Sequence, residues 1–198
     1  MTTMKIISGV AKGRDIKIPK NSSTLEPVKG VVKLAIFNIL GDKIKDAACL
    51  DLYAGSGSLG LEAISRGAKD CLFVESENDC VHSMQESLNL LNFLENGEVI
   101  RGDVSHYVES QIRQFDNMTI CQYDIIFLDP PYITPTTHLL KRLPHLLKEG
   151  GIVVYLCGSD RVIENLEGLE IIKEKKYGKT KVVICRRVIP MKIGIQDS

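Results

Sequence analysis

Five short apolar runs alternate with segments of helical period along most of this chain, and that alternation excludes most folds. The runs cover residues 49–52, 71–74, 98–100, 123–128 and 152–156. Continuous apolar strands suit a parallel sheet covered on both faces. Strand and helix in alternation predict an open α/β sheet of nucleotide-binding type. The end of the chain differs. Residues 169–176, a Tyr177-Gly178-Lys179-Thr180 turn and residues 181–187 predict an antiparallel pair at the sheet edge.

The start of the chain reads as a small hairpin. Ile6-Ile7 precede a glycine-rich turn from Gly9 to Gly13, and Ile16 and Ile18 then alternate with charged residues. Pro27 suits a first helical turn, apolar residues follow at helical spacing to residue 40, and Gly41 stops the helix. Ser76 and Asp79 predict a capping box for a helix whose buried stripe is Val81, Met84, Leu88 and Leu91. Lys148 with Gly150-Gly151 predicts a helix end before the fifth strand. The 198 residues thus divide into an N-terminal β-hairpin extension (1–24), a main domain (25–190) and a tail (191–198).

Two function classes drop out early. Six cysteines lie scattered among aliphatic residues with no Cys-x-x-Cys pair, which argues for buried thiols in a reducing cytoplasm. His82, His106, His138 and His145 lack partners at metal spacing, so no metal is expected. No apolar run has the length of a membrane span, and residues 1–14 do not read as a secretory signal.

Charge balances overall, 25 basic against 25 acidic residues, but not locally. Residues 1–20 carry +4 and residues 169–192 carry +6, so the body is acidic. If the ends meet on one face they form a stripe for phosphates. Solvated strand faces explain the same charges, and charge alone leaves both readings open. Lys12, Arg14, Lys179 and Lys181 are the candidates for RNA phosphate contacts.

The first chemical motif follows the first strand of the sheet: Asp51-Leu-Tyr-Ala-Gly55-Ser-Gly57-Ser-Leu-Gly60, leading into a helix with Glu62 and Arg66 at the i,i+4 spacing. Glycines admit close backbone approach to a ligand, and the helix start offers unpaired N–H groups. Glu75, twenty residues after Gly55, is placed to accept ribose hydroxyls. The glycine spacing also matches the fingerprint of NAD enzymes. Asp51 tilts the choice, because a carboxylate there repels a pyrophosphate and attracts an ammonium or sulfonium group. S-adenosylmethionine carries both and no phosphate. Asp103 either accepts the adenine amino group or caps the next helix.

The second motif, Asp129-Pro130-Pro131-Tyr132, ends the fourth strand. Two prolines stop the ladder and stiffen the loop. The Asp129 carboxylate and Pro130 carbonyl then converge on one point, which suits the exocyclic amine of a planar base. Tyr132 offers a stacking face. A base in a duplex must be flipped out to reach such a pocket.

Residues 51–68, Val74-Glu75 and Asp129-Pro-Pro-Tyr132 together resemble the bacterial 16S rRNA guanine-N2 methyltransferases of the RsmD type. So do Ile6-Ile7-x-Gly9-x-x-Lys12-Gly13-Arg14, Phe37-Asn38-x-Leu40 and Gly178-x-Thr180. The resemblance implies a Rossmann-like S-adenosylmethionine-dependent methyltransferase domain, mostly parallel, with the hairpin extension. It implies S-adenosylmethionine as methyl donor and a guanine 2-amino group in small-subunit rRNA, naked or in an assembling subunit, as acceptor. Gly55 and Gly57 would face the methionine part, Glu75 the ribose and Asp103 the adenine, with Asp51 in the same cofactor site on the strength of its charge. Tyr53, Ser76 and Val104 stand beside them in the cofactor site. Asp129, Pro130, Pro131 and Tyr132 would hold the base. A monomer is expected.

One segment departs from the family pattern. Glu26 replaces an arginine, Val28 a threonine and Leu34 a glutamate, and Ser8 stands where the family favours glycine. Lys33 keeps a positive charge without arginine's bidentate fork. Three other functions compete: an adenine-N6 methyltransferase, a relative without catalysis, and an NAD-dependent dehydrogenase. The last has no substrate domain within this length.

Overall fold

The computed structural model describes residues 4–19, 28–114, 122–164 and 166–189. Pro27, Glu26, Cys121 and the 191–198 tail lie outside them. The apolar runs become β3 (Ala48–Leu52), β4 (Asp70–Glu75), β5 (Gly97–Arg101), β6 (Tyr123–Leu128) and β7 (Leu147–Gly158). They pair in parallel, and β8 (Leu169–Tyr177) and β9 (Thr180–Arg187) complete a seven-stranded sheet in the order β5-β4-β3-β6-β7-β9-β8. β9 runs antiparallel to both neighbours, as the terminal hairpin predicts. The two-residue turn has Gly178 at φ +62°, the left-handed conformation such turns require.

Alternate residues of each central strand feed separate cores. Cys49, Phe73, Ile125 and Phe127 meet α1 (Gly30–Leu40), α2 (Ser58–Ser65) and α3 (Asn78–Leu91). Leu50, Leu52, Ile126 and Leu128 meet α4 (Val104–Gln114) and α5 (Thr137–Arg142). Val81, Met84, Leu88 and Leu91 are the buried stripe of α3, as the spacing indicates.

Two local expectations are corrected. Ser76 does not cap α3. The N-cap is Glu77 with no side-chain cap bond, and the Ser76 backbone N–H and hydroxyl donate to Glu75 Oε1 at 2.7 and 3.3 Å. A carboxylate one residue away outcompetes the helix end. Residues 148–151 do not end a helix either. They belong to β7, where the four residues between Leu147 and Ile152 lie opposite the single residue between Tyr123 and Ile125 on β6. Gly150 at φ +71° makes the irregularity possible.

The hairpin of β1 (Met4–Lys5) and β2 (Asp15–Ile16) is antiparallel and lies along α2. Its dock is Glu62, which is fully buried. One Glu62 oxygen accepts the Ile7 N–H at 2.7 Å, the other the Ser8 N–H at 2.9 Å. Arg66 Nε donates to the same carboxylate at 2.7 Å, and Lys33 Nζ lies 3.2 Å away. Lys33 also donates to the Lys5 carbonyl at 2.9 Å. Burial pushes the Lys33 pKa down while Glu62 opposes the fall.

The five described cysteines are free and buried. Burial pushes the Cys80 and Cys185 thiols up to about 12. No helix of the described residues is long and apolar enough to cross a membrane.

Candidate active site

The loops after β3, β4, β5 and β6 share the carboxyl edge of the sheet. β3 and β6 are neighbours from which the chain winds in opposite directions. A crevice at such a switch point is where open α/β sheets bind ligands.

The glycine loop is shaped by left-handed residues: Tyr53 at φ +59°, Gly55 at +55° and Gly57 at +72°. Gly57 is the residue before α2 and donates its N–H to the Ala54 carbonyl at 2.7 Å. A Cβ there would fall 2.8 Å from Met84 Cγ. Gly60 serves packing rather than ligand approach. A Cβ at Gly60 would lie 2.3 Å from the Phe73 ring and 2.6 Å from Cys71 Sγ. Gly60→Ala is therefore expected to destabilise the chain by about 1–3 kcal/mol, read as a lower urea midpoint.

Glu75 is 8% exposed and faces this loop. Its Oε2 accepts the Gly55 N–H at 2.8 Å, and its Oε1 accepts the Ser76 and Glu77 N–H groups. Asp51 is 1% exposed and accepts the Gly60 N–H at 2.9 Å. Burial raises its pKa well above the carboxylate range; the Gly60 bond opposes, and the Asp129 and Glu75 charges add to the rise. A cationic ligand would reverse that push. Asp103 Oδ1 accepts the His106 N–H at 2.8 Å, so the helix-cap reading holds for one oxygen. Tyr53 hydrogen-bonds Ser105, and Val104 is buried in the first turn of α4.

Asp129 follows β6, and its N–H donates to the Leu52 carbonyl at 3.3 Å. It is half-buried, and loss of water around the carboxyl pushes its pKa up to about 7. Pro130 is buried and Pro131 exposed. The Thr134 N–H closes a turn onto the Pro131 carbonyl at 2.8 Å. Tyr132 keeps 37% of its surface exposed, and its hydroxyl meets Thr180 Oγ1 at 2.6 Å.

The four candidate cations do not share one edge of the sheet. The 9–13 turn of the hairpin packs on Ser65 at the end of α2, and Arg14 donates to the Leu90 and Leu91 carbonyls at the end of α3. Both helices end at the edge opposite Asp129. Lys12 is exposed there. At the other end, Lys181 is 6% exposed, with Nζ on the Arg161 carbonyl at 2.6 Å and on Glu174 at 3.2 Å. Lys179 remains exposed beside Tyr132. Sequence reasoning missed Arg161, which donates to the Tyr132 carbonyl at 2.7 Å and to Thr136 Oγ1 at 3.2 Å. No motif marks it.

Among the described residues no group of His, Cys, Asp and Glu could hold a metal ion. The Escherichia coli protein yhhF superposes with a TM-score of 0.80 at 24% identity, covering 94% of this chain and 98% of its own. An RNA methyltransferase from Salinibacter ruber in complex with S-adenosyl-L-homocysteine superposes with a TM-score of 0.61 at 15% identity, over 84% of this chain and 97% of that one. The fold is thus that of the S-adenosylmethionine-dependent methyltransferases. Ribosomal RNA small subunit methyltransferase D of Haemophilus influenzae is 31% identical over 179 residues, 88% of this chain and 89% of that protein. The profile of the family described as conserved hypothetical protein 95 matches residues 4–186. The chain belongs to that family, the RsmD family whose motifs its sequence carries.

Proposed function

We propose that the protein transfers a methyl group from S-adenosylmethionine to the 2-amino group of a guanine in small-subunit (16S) rRNA. The observation that carries the reading is the shared edge. It holds the Asp129–Pro130 oxygens, the Gly55–Gly57 loop and the Glu75 carboxylate, in a chain of this family. Family membership supports rRNA over DNA and guanine over adenine.

The residues present fit the cofactor. Asp51, Glu75 and Asp129 interact electrostatically, as the rise at Asp51 records. Such an acid cluster favours a cationic ligand over a pyrophosphate, which also argues against a dinucleotide. Bound there, S-adenosylmethionine supplies a sulfonium methyl open to attack by an amine. Gly55 and Gly57 would admit its methionine part, Glu75 would hold the ribose, and the second Asp103 oxygen the adenine amine. Tyr53, Ser76 and Val104 would line the same site.

The chain's own groups do the rest. Asp129 Oδ and the Pro130 carbonyl accept the two protons of the acceptor amine and orient its lone pair. Tyr132 stacks the base. Most of the acceleration comes from holding the reacting atoms in line. Asp129, with its pKa near 7, is matched to take a proton at neutral pH.

The test is incubation with unmodified small-subunit rRNA and with subunits, followed by nucleoside mass analysis. N2-methylguanine is the expected product. N6-methyladenine alone would transfer the reading to the adenine enzymes, and absence of any product with either substrate would sink it.

A further inference from the structure

A cleft of about 490 Å³ opens beside Tyr132, lined by Tyr132, Gly158, Ser159, Asp160, Arg161 and Lys179. Its size suits a small ligand or a piece of a larger one. Backbone bonds fix its walls. The Ser159 N–H donates to the Lys179 carbonyl at 2.9 Å and the Arg161 N–H to the Gly158 carbonyl at 3.0 Å.

Arg161 ties this cleft to the base loop. Its guanidinium donates to the Tyr132 carbonyl and to Thr136 Oγ1, and Thr136 is buried with its hydroxyl against Tyr155. The buried Lys181 ammonium holds the Arg161 carbonyl from behind. Those two side-chain bonds use part of a five-donor fork, so donors remain for a ligand. Lys179 adds a second, exposed cation. Asp160, whose carboxylate accepts the Ser159 hydroxyl at 3.1 Å, is the opposing charge.

A guanidinium fork and an ammonium in an open cleft match a phosphodiester. A nucleotide turned out of its helix carries its own backbone to the mouth of the base pocket. We propose that this cleft holds a phosphodiester of the RNA strand beside the acceptor nucleotide. Arg161 is a positioning residue: its fork bridges that phosphate to the Tyr132 carbonyl and so seats the stacking face. The inference rests on the RNA reading above.

The experiment is equilibrium binding of an unmodified small-subunit rRNA fragment at stepped salt, with methylation kinetics run alongside. Lys179→Gln is expected to weaken binding about 3–10-fold and to lower the salt slope by about 0.7–0.9, the share of one phosphate contact. Asp160→Asn is expected to tighten binding about 2–5-fold by removing the repelling charge. Opposite signs from two neighbours are not what a merely structural role gives. Arg161→Lys keeps the charge, so its salt slope should hold while kcat falls. In all three, S-adenosylmethionine affinity by calorimetry should stay that of the wild type. An unchanged slope for Lys179→Gln together with unchanged affinity for Asp160→Asn would overturn the cleft even if wild-type methylation is robust. Shifted slopes without any methylation would keep the cleft and overturn the enzyme reading instead.

Discussion

Asp129→Asn is expected to lower the methylation rate by about 10²–10⁴-fold, the range for a positioned proton acceptor, while making the folded chain more stable at pH 8. An asparagine side chain keeps the shape. It offers one oxygen in place of two and aims an amide N–H at the acceptor amine or at the place its proton must go. The gain in stability follows from the raised pKa. Unfolded, Asp129 titrates near 3.8; folded, near 7. The folded state therefore binds the proton more tightly, and ionisation works against folding. Below pH 3.8 both states are protonated and nothing is lost. The penalty grows between about 4 and 7 and is complete above 7, where it reaches at most about 4 kcal/mol. The amide escapes it. Urea midpoints of the two proteins should converge near pH 4 and separate by pH 8, with the variant higher. Wild-type activity should rise through pH 7 as the carboxylate forms. A variant that loses activity and is less stable at pH 8 would contradict this assignment.

The second large effect is expected at Glu62, far from the chemistry. Glu62→Ala leaves the buried Lys33 ammonium without its carboxylate and the Ile7 and Ser8 N–H groups without an acceptor. Removing one partner of a buried charged pair costs about 3–5 kcal/mol. Lys33→Met should cost less, because Glu62 then keeps Arg66 and both backbone donors. The asymmetry in urea midpoints is the check. Equal losses would mean that the pair alone matters and the hairpin dock does not. This network also explains the family departure at Lys33: the residue reaches the hairpin carbonyl of Lys5 and the α2 carboxylate together. The structure offers no account of Leu34.

Strands and motifs were legible because their signals are local. A run such as Tyr123–Leu128 needs no partner to read as a covered strand, and two prolines after Asp129 stop it wherever it lies. What escaped was non-local or competitive. The Glu62 and Arg66 spacing shows an ion pair, yet nothing in it reveals donors 54 and 55 residues away. Ser76 satisfies a capping rule and still prefers the adjacent Glu75. Lys148 and two glycines satisfy a helix-stop rule, although β7 absorbs them as a bulge. Summed charge per segment says nothing of direction, so Lys12 and Arg14 went to the far edge of the sheet. Lys181 was readable in principle, since a turn at Gly178-Lys179 brings it close to Glu174 across the hairpin.

The thiols acquire a meaning beside an alkylating reagent. Sulfur reacts as the thiolate, and an exposed thiolate near a sulfonium would compete with any aryl amine for the methyl. Cys80 sits in the first turn of α3, close enough to feel Glu75, Glu77 and Asp79. After burial, those are the charges that keep its proton in place. Glu75 thus belongs both to the acid cluster that would draw in a cationic donor and to the charges that, after burial, keep the Cys80 sulfur in its unreactive form.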